Sequence, residues 1–344
     1  MSFSPLLSVV ATSRNDNHGG NLLARMQLFI DGFAEQAQRY GLLVEMIVVD
    51  WNPPADRPSL SDALLWRPGE MFHPQVITVP PQVHSSLANS ARLPMYQMIA
   101  KNAGIRRARA PYVLATNIDI LLSDELFEYL RDRLKPNAMY RVDRHDVVAP
   151  LDAPVLPSPA TVRSIPPIRE HRIDGLRYPS AAPAAGVSRA RSWGDISRLP
   201  MAALDRLVLP KLHTSGCGDF TLTSREVWFS LRGYPEWPIF SWHIDGVVLY
   251  QAYAAGVEMV NLEPPMVALH LEHSQGSGWT PEGSSALFGR LDQTGIPYLS
   301  TAEYRRLARK IVREGRRSEP INGPDWGLAA RDLPSASPSG RVAT

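Results

Sequence analysis

Short apolar runs alternate along this chain with longer stretches in which apolar positions recur every three or four residues. That alternation is the signature of strands interleaved with helices. Leu6 to Ala11 (LLSVVA) reads as a buried strand that ends in the polar cluster Thr12-Ser13-Arg14-Asn15-Asp16. Leu22, Met26, Phe29, Phe33, Ala37 and Tyr40 then mark one apolar helix stripe, with Gly41 where a left-handed helix end is expected. Leu43 to Val49 is a second strand, ending in Asp50 and stopped by Asn52-Pro53-Pro54. Two strands around such a helix form a right-handed βαβ unit and a parallel sheet, which brings Thr12 to Asp16 and Asp50 to one rim.

Val76 to Val79 gives a third short strand, and Met95 to Ala108 a helix with Met95, Met98, Ile99 and Ile105 on one face. Asn102 falls on that face, where its amide must be satisfied in the core or face a ligand. Tyr112 to Ala115 is a buried strand whose exit is Thr116-Asn117-Ile118-Asp119. Ligands gather at the carboxyl ends of strands in open α/β sheets, so Asp119 is a ligand-facing carboxylate or, in the plainer reading, the cap of a turn. A helix through Leu126, Leu130 and Leu134 and a strand at Ala138 to Val142 follow.

The pattern then breaks. Eight prolines lie between Pro150 and Pro183 with little periodicity, so 144–213 reads as a Pro-rich insertion or loop. Order returns with Gly216-Cys217-Gly218-Asp219-Phe220 and a short helix capped by Ser224. An aromatic loop, Tyr234 to His243, leads to a helix closed by Gly256 with Asp245 in its first turn. Strands at Val257 to Leu262 and Met266 to Leu269 follow, with His270 and His273 at the exit. On a strand those two would point to opposite faces, so one of them is expected to serve a site. Ser300 and Glu303 spell a capping box for a last helix, basic on its outer face, and 317–344 reads as a disordered tail. The expected fold is α/β, a mostly parallel doubly wound sheet. Its two halves are 1–143 and 214–316, on either side of the insertion.

Composition narrows the function classes. The chain has 344 residues, 44% apolar and 20% charged, with a net charge of +2, too slight for a nucleic-acid binder. One cysteine, Cys217, excludes an internal disulfide and a cysteine-rich zinc site, and fits a reducing, cytoplasmic setting. The opening residues lack a basic region ahead of their apolar run, so no signal peptide is expected. No 18-residue apolar stretch exists. The basic face of 301–313 reads as solvated or, alternatively, as a docking face for the inner side of an anionic membrane.

Polar groups at several strand exits, Thr12 to Asp16, Asp50, Asn117 to Asp119, His270 and His273, together with Asp245, suit a diphosphate held through a divalent cation. Carboxylates are hard ligands for Mg²⁺ or Mn²⁺, and imidazole tilts the preference toward Mn²⁺. A neighbouring Asp could take a proton from an attacking hydroxyl. Trp237 and Trp242 could stack on a sugar ring or simply pack the loop.

At this point a resemblance is visible. Leu6 to Asp16, Leu43 to Asn52, KNAGIRRARAPYVLATNIDI (101–120) and GDFTLTSREVWFSLRGYPE (218–236) resemble glycosyltransferases of the GT-A fold. The likeness is to family 2-like enzymes with a galactosyltransferase-like C-terminal module, over roughly 1–135 and 214–275. It implies transfer of a sugar from a nucleoside diphosphate sugar to a hydroxyl of a glycan or lipid-linked acceptor, in polysaccharide or glycan biosynthesis. It assigns nucleotide contacts to Thr12, Arg14, Asn15 and Asp50, and the Asp-x-Asp metal motif to Asn117-Ile118-Asp119. The base role falls on Asp245, and a metal-binding histidine on His270 or His273. Asn117 and Asn102 are carried as further nucleotide-side candidates. Asn117 departs from the motif, because a neutral amide stands where the family has its first Asp. A nucleotidyltransferase is the alternative enzyme class, although its Gly-rich basic first loop is missing. A non-catalytic nucleotide-sugar-binding protein is the other alternative.

Overall fold

The computed structural model describes residues 4–179, 208–273 and 284–338. An 11-stranded mixed sheet runs through it in the order β11-β3-β2-β1-β4-β9-β6-β10-β5, with β7 and β8 continuing from β6. In chain order the strands are β1 (Leu7–Ser13), β2 (Val44–Trp51), β3 (Phe72–Val79), β4 (Tyr112–Thr116), β5 (Ile120–Leu122) and β6 (Ala138–Val147). They continue as β7 (Arg169–Arg172), β8 (Gly175–Arg177), β9 (Phe220–Ser224), β10 (Glu258–Leu271) and β11 (Ser335–Ala336). The longest ladders, β1–β2, β2–β3 and β6–β10, are parallel. β9 runs antiparallel between β4 and β6. The sheet is therefore mostly parallel, as the pattern predicts.

Helices cover both faces. On one lie Leu22–Tyr40 and Asp124–Asp132, whose Met26, Phe29, Phe33, Leu126 and Leu130 pack on β1, β2 and β4. Phe29 and Phe33 meet edge to face at 5.1 Å, and full burial of each contributes about 2–3 kcal/mol. The other face carries Gln97–Arg107, Arg225–Leu231 and Ile244–Ala255. Fully buried Trp228 satisfies its indole N–H on the Val113 carbonyl at 3.0 Å. Several expected boundaries hold. Gly41 and Gly256 sit in the left-handed region after their helices, Ser224 caps the helix it precedes, and Ser300 with Glu303 forms the capping box of Thr301–Glu314.

Three expectations are corrected. The strands expected at 257–262 and 266–269 are one, β10, because a register shift against β6 between Leu262 and Val267 absorbs the interruption. The expected insertion at 144–213 begins too early. β6 runs through Val147, pairing with both β10 and β7, since Arg144 and Asp146 face buried partners rather than water. Residues 180–207 of that segment lie outside the described residues. The expected tail packs from 317 to 338: Trp326 is buried against Phe229, and Arg107 donates to the carbonyls of Gly327, Leu328 and Arg331. No periodicity announces a segment held by one buried tryptophan, by Asn322 on the Arg232 and Tyr234 carbonyls and by the Arg107 guanidinium; 339–344 lie outside the described residues. Among the described residues no helix is long and apolar enough to cross a membrane.

Candidate functional site

The exits of β1, β2 and β4 gather at one edge, as parallel strands must. Thr12 donates its hydroxyl to the Val49 carbonyl at 3.0 Å, Arg14 donates to the Asn52 carbonyl at 2.7 Å, and Asn15 to the Pro58 carbonyl at 2.9 Å. Asp50 is fully buried. Its Oδ2 accepts the Leu60 N–H at 2.9 Å, while Oδ1 has no partner. Burial pushes the Asp50 carboxyl up to about 6, against the pull of Leu60 and Arg14. Thr12 and Arg14 line a cavity of about 320 Å³ that reaches Asp119, His270 and His273. Asn15 and Asp50 stand behind that wall.

Asp119 lies in the turn from β4 to β5 and is buried. Its Oδ2 is 3.2 Å from His273 Nε2, 3.7 Å from His270 Nε2 and 2.7 Å from Arg25 Nη1. Its Oδ1 is buried without a partner. The ligand atoms of Asp119, His270 and His273 lie within 4.8 Å of one another. Both histidines face the carboxylate, contrary to the expectation that only one could. β10 ends at Leu271, so His273 is beyond the strand and curls back, with the two rings 5.3 Å apart. Burial pushes the pKa of Asp119 up, but His270, His273 and Arg25 outweigh it and hold the carboxyl well below its usual range. One carboxylate with an open oxygen beside two imidazoles is a donor set that fits Mn²⁺.

His270 is itself oriented. β6 and β10 pair in register at Asp146 and His270, and Asp146 Oδ1 is 3.1 Å from His270 Nδ1, which leaves Nε2 turned toward Asp119. The same carboxylate also engages Arg144, Arg169 and His171. Arg144 continues to Asp219 at 2.7 Å, and Asp219 accepts from Asn117 Nδ2 at 2.6 Å. Asn117 Oδ1 in turn accepts from Gln97 and Lys101, both at 2.8 Å. The amide is thus a bridge with donor and acceptor both used, and its match to a metal-motif carboxylate is corrected. A second carboxylate there would face Asp219. Burial pulls the Lys101 ammonium down to about 8 despite Asp219 and Asp245 nearby.

A second cavity, about 370 Å³, shares Gln97, Asn117, Arg144, Asp219, Ser241 and His270 with the first. Half-buried Asp245 stands in its wall at the start of Ile244–Ala255, accepting the Gly246 N–H at 2.9 Å. Burial raises its carboxyl above the usual range, partly offset by the Cys217 thiol and Lys101. Gly218 makes room for it: a Cβ there would lie 3.0 Å from Asp245 Oδ2. The residue just before this helix, His243, is held at φ 68° with its ring stacked on Tyr304 at 4.5 Å, a strained entry that aims the first turn of the helix. Trp242 lines this cavity, whereas Trp237 packs into the core below.

Asn102 is corrected too. Fully buried, it accepts the Tyr234 N–H at 2.8 Å and donates to the Tyr234 carbonyl and Glu236, so it pins a loop and faces no cavity. Arg25, Lys101, Arg144, Asp146 and Asp219 belong to the site and were missed as individual residues. Only the Gly-Cys-Gly-Asp-Phe turn signalled one of them. A larger cavity, about 570 Å³, opens at the far sheet edge, where Arg107 is spent on carbonyls and Arg109 on Glu45.

No family model and no curated protein matches the chain. Among solved structures it is similar to the catalytic domain of Drosophila β1,4-galactosyltransferase 7 in complex with xylobiose, at 12% identity and a TM-score of 0.33. That match covers 74% of this chain and 63% of the other, so the chain spans under two thirds of that structure. It is also similar to the mannosyltransferase PcManGT of Pyrobaculum calidifontis in complex with GDP-Man and Mn²⁺. There the identity is 13% and the TM-score 0.41, over 96% of this chain and 75% of that one.

Proposed function

We propose that this chain is a GT-A-type glycosyltransferase that moves a sugar from a nucleoside diphosphate sugar to an acceptor hydroxyl. The observation that carries the reading is the shared wall of the two cavities. On one side stand Asp119 and His273, on the other the half-buried carboxylate of Asp245, with His270 in the wall itself. Two substrates seated on either side of Asn117, Asp219 and Arg144 would meet across that wall.

In this reading the nucleoside lies toward Thr12 and Arg14, which line the first cavity, with Asn15 and Asp50 behind them shaping that wall. The diphosphate lies toward Asp119. Asp119, His270 and His273 would hold a divalent cation, Mn²⁺ better than Mg²⁺, which when bound supplies positive charge to the departing nucleoside diphosphate. Asp245 accepts the proton of the attacking hydroxyl, and its raised pKa brings it nearer to what a general base needs. Trp242 offers the acceptor sugar an aromatic wall. A glycan acceptor, and with it a role in polysaccharide or glycan assembly, belongs to this proposal, and that wall supports it.

Calorimetric titration of UDP and GDP, with and without Mn²⁺, into wild type and Asp119→Ala tests the donor side. Metal-dependent binding of one nucleotide, lost in the variant, is the expected result. Asp245→Asn should keep that binding and lose roughly 10²- to 10⁴-fold in turnover. Nucleotide binding indifferent to both Mn²⁺ and Asp119, or an Asp245→Asn enzyme with full turnover, would overturn the reading.

A further inference from the structure

Arg25 is buried at 1% exposure in the helix Leu22–Tyr40. Its Nη1 donates to Asp119 Oδ2 at 2.7 Å. Nε and Nη2 donate to the carbonyls of His18 and Gly20. Those carbonyls belong to a turn whose backbone has positive φ at Asn17, Gly19, Gly20 and Asn21. The guanidinium is therefore fixed at both ends and cannot swing away from Asp119 without remaking the turn.

Each carboxylate around the candidate metal site is consequently already paired, four of them on three guanidiniums: Asp119 with Arg25, Asp146 with Arg144 and Arg169, Glu272 with Arg169, and Asp219 with Arg144. Position 117 contributes a neutral amide. A ligand oxygen is nevertheless open, because Asp119 Oδ1 is buried without a partner. A hard divalent cation binds largely by charge, and here it would approach a carboxylate that a guanidinium has already neutralised, in surroundings that screen poorly. A nucleoside diphosphate brings negative charge that no guanidinium has yet paired.

We infer that Arg25 makes divalent-cation binding conditional on nucleotide: by neutralising Asp119 it keeps the site weak until a diphosphate enters. The inference rests on the donor-site reading above. It assigns Arg25 a positioning and gating role through Asp119.

The test is Mn²⁺ binding, read as loss of the free Mn²⁺ electron paramagnetic resonance signal, alone and with saturating UDP or GDP. Wild type should bind Mn²⁺ weakly alone and about tenfold or more tighter with the nucleotide, within the usual range of coupling between two ligands. By linkage, Mn²⁺ must tighten the nucleotide by the same factor. Arg25→Gln should bind Mn²⁺ alone more tightly than wild type and lose most of the nucleotide effect. Arg25→Lys keeps the charge without the planar fork and should behave as wild type, which separates charge from the lost bonds to the turn. If Arg25→Gln does not fold, Arg25→Met, which keeps the apolar stem without the charge, takes its place with the same expectation. Equal Mn²⁺ affinity with and without nucleotide in wild type overturns the inference, as does a folded Arg25→Gln no tighter than wild type. Mn²⁺ binding that Asp119→Ala leaves intact, or none under any condition, overturns the metal assignment itself and the inference with it.

Discussion

Asp50 is a carboxylate held where its charge is poorly supported. One oxygen accepts a backbone N–H, the other has no partner, and the side chain is sealed from water. The folded protein keeps a proton on Asp50 up to about pH 6, whereas the unfolded chain releases it near the ordinary carboxylate value. Between those values the folded state binds more protons, so this group's contribution to stability falls as pH rises and is most unfavourable above pH 6. Asp50→Asn removes the titration and keeps an acceptor for Leu60. Denaturant unfolding should show the variant gaining about 2–3 kcal/mol on wild type between pH 4 and pH 7. Parallel pH profiles would show that Asp50 is solvated after all. Asp119, His270 and His273 were legible because polar residues at strand exits are conspicuous. Arg25 and Arg144 were not: an arginine within an amphipathic helix or beside a proline-rich stretch looks like a surface residue, and only its partners reveal otherwise.

At the scale of elements, the helix Gln97–Arg107 shows where periodicity stops being informative. Every residue from Met98 through Ile105 is buried, including Lys101 and Asn102, because the sheet lies on one side and the C-terminal segments on the other. A stripe argument assumes one wet face, and this helix has very little of one. Its Gly104 sits directly on β1 and β2. A Cβ there would come within 2.5 Å of Val10 Cγ1 and 3.2 Å of Val49 Cγ2. Ala is the better helix former by about 1 kcal/mol, yet Gly104→Ala should destabilise the protein by about 1–3 kcal/mol, as overpacking outweighs propensity. A shift of the denaturation midpoint to higher denaturant would show that the helix can move off the sheet. The strands, by contrast, were largely legible. Six of them, β1 to β4, β6 and β10, have apolar runs bounded by turn residues; β5, β7, β8, β9 and β11 are too short or too polar to announce themselves, and the interruption within β10 misled.

At the scale of the whole molecule, the α/β class and the rim of candidate ligands could be read from the chain, but the route of the sheet could not. Strand order depends on which segments pair, and no local pattern says that β9 returns to lie between β4 and β6. That placement also builds the functional wall, since Asp219 immediately precedes β9 and reaches both Asn117 beyond β4 and Arg144 on β6. It has a consequence for how the chain could be divided. Every strand after residue 208 is inserted into or added onto a framework made before residue 179: β9 bridges β4 to β6, β10 joins β6 to β5, and β11 lines β3. Without them β4 and β6 share no ladder and β5 has no neighbour. Two polypeptides obtained by opening the chain between 180 and 207 should each fail to fold alone and should reconstitute one body when co-expressed, seen as co-elution of both on a column that retains a tag on one. The backbone link there would then be dispensable, and the molecule a zipper of two interleaved combs rather than a pair of halves side by side.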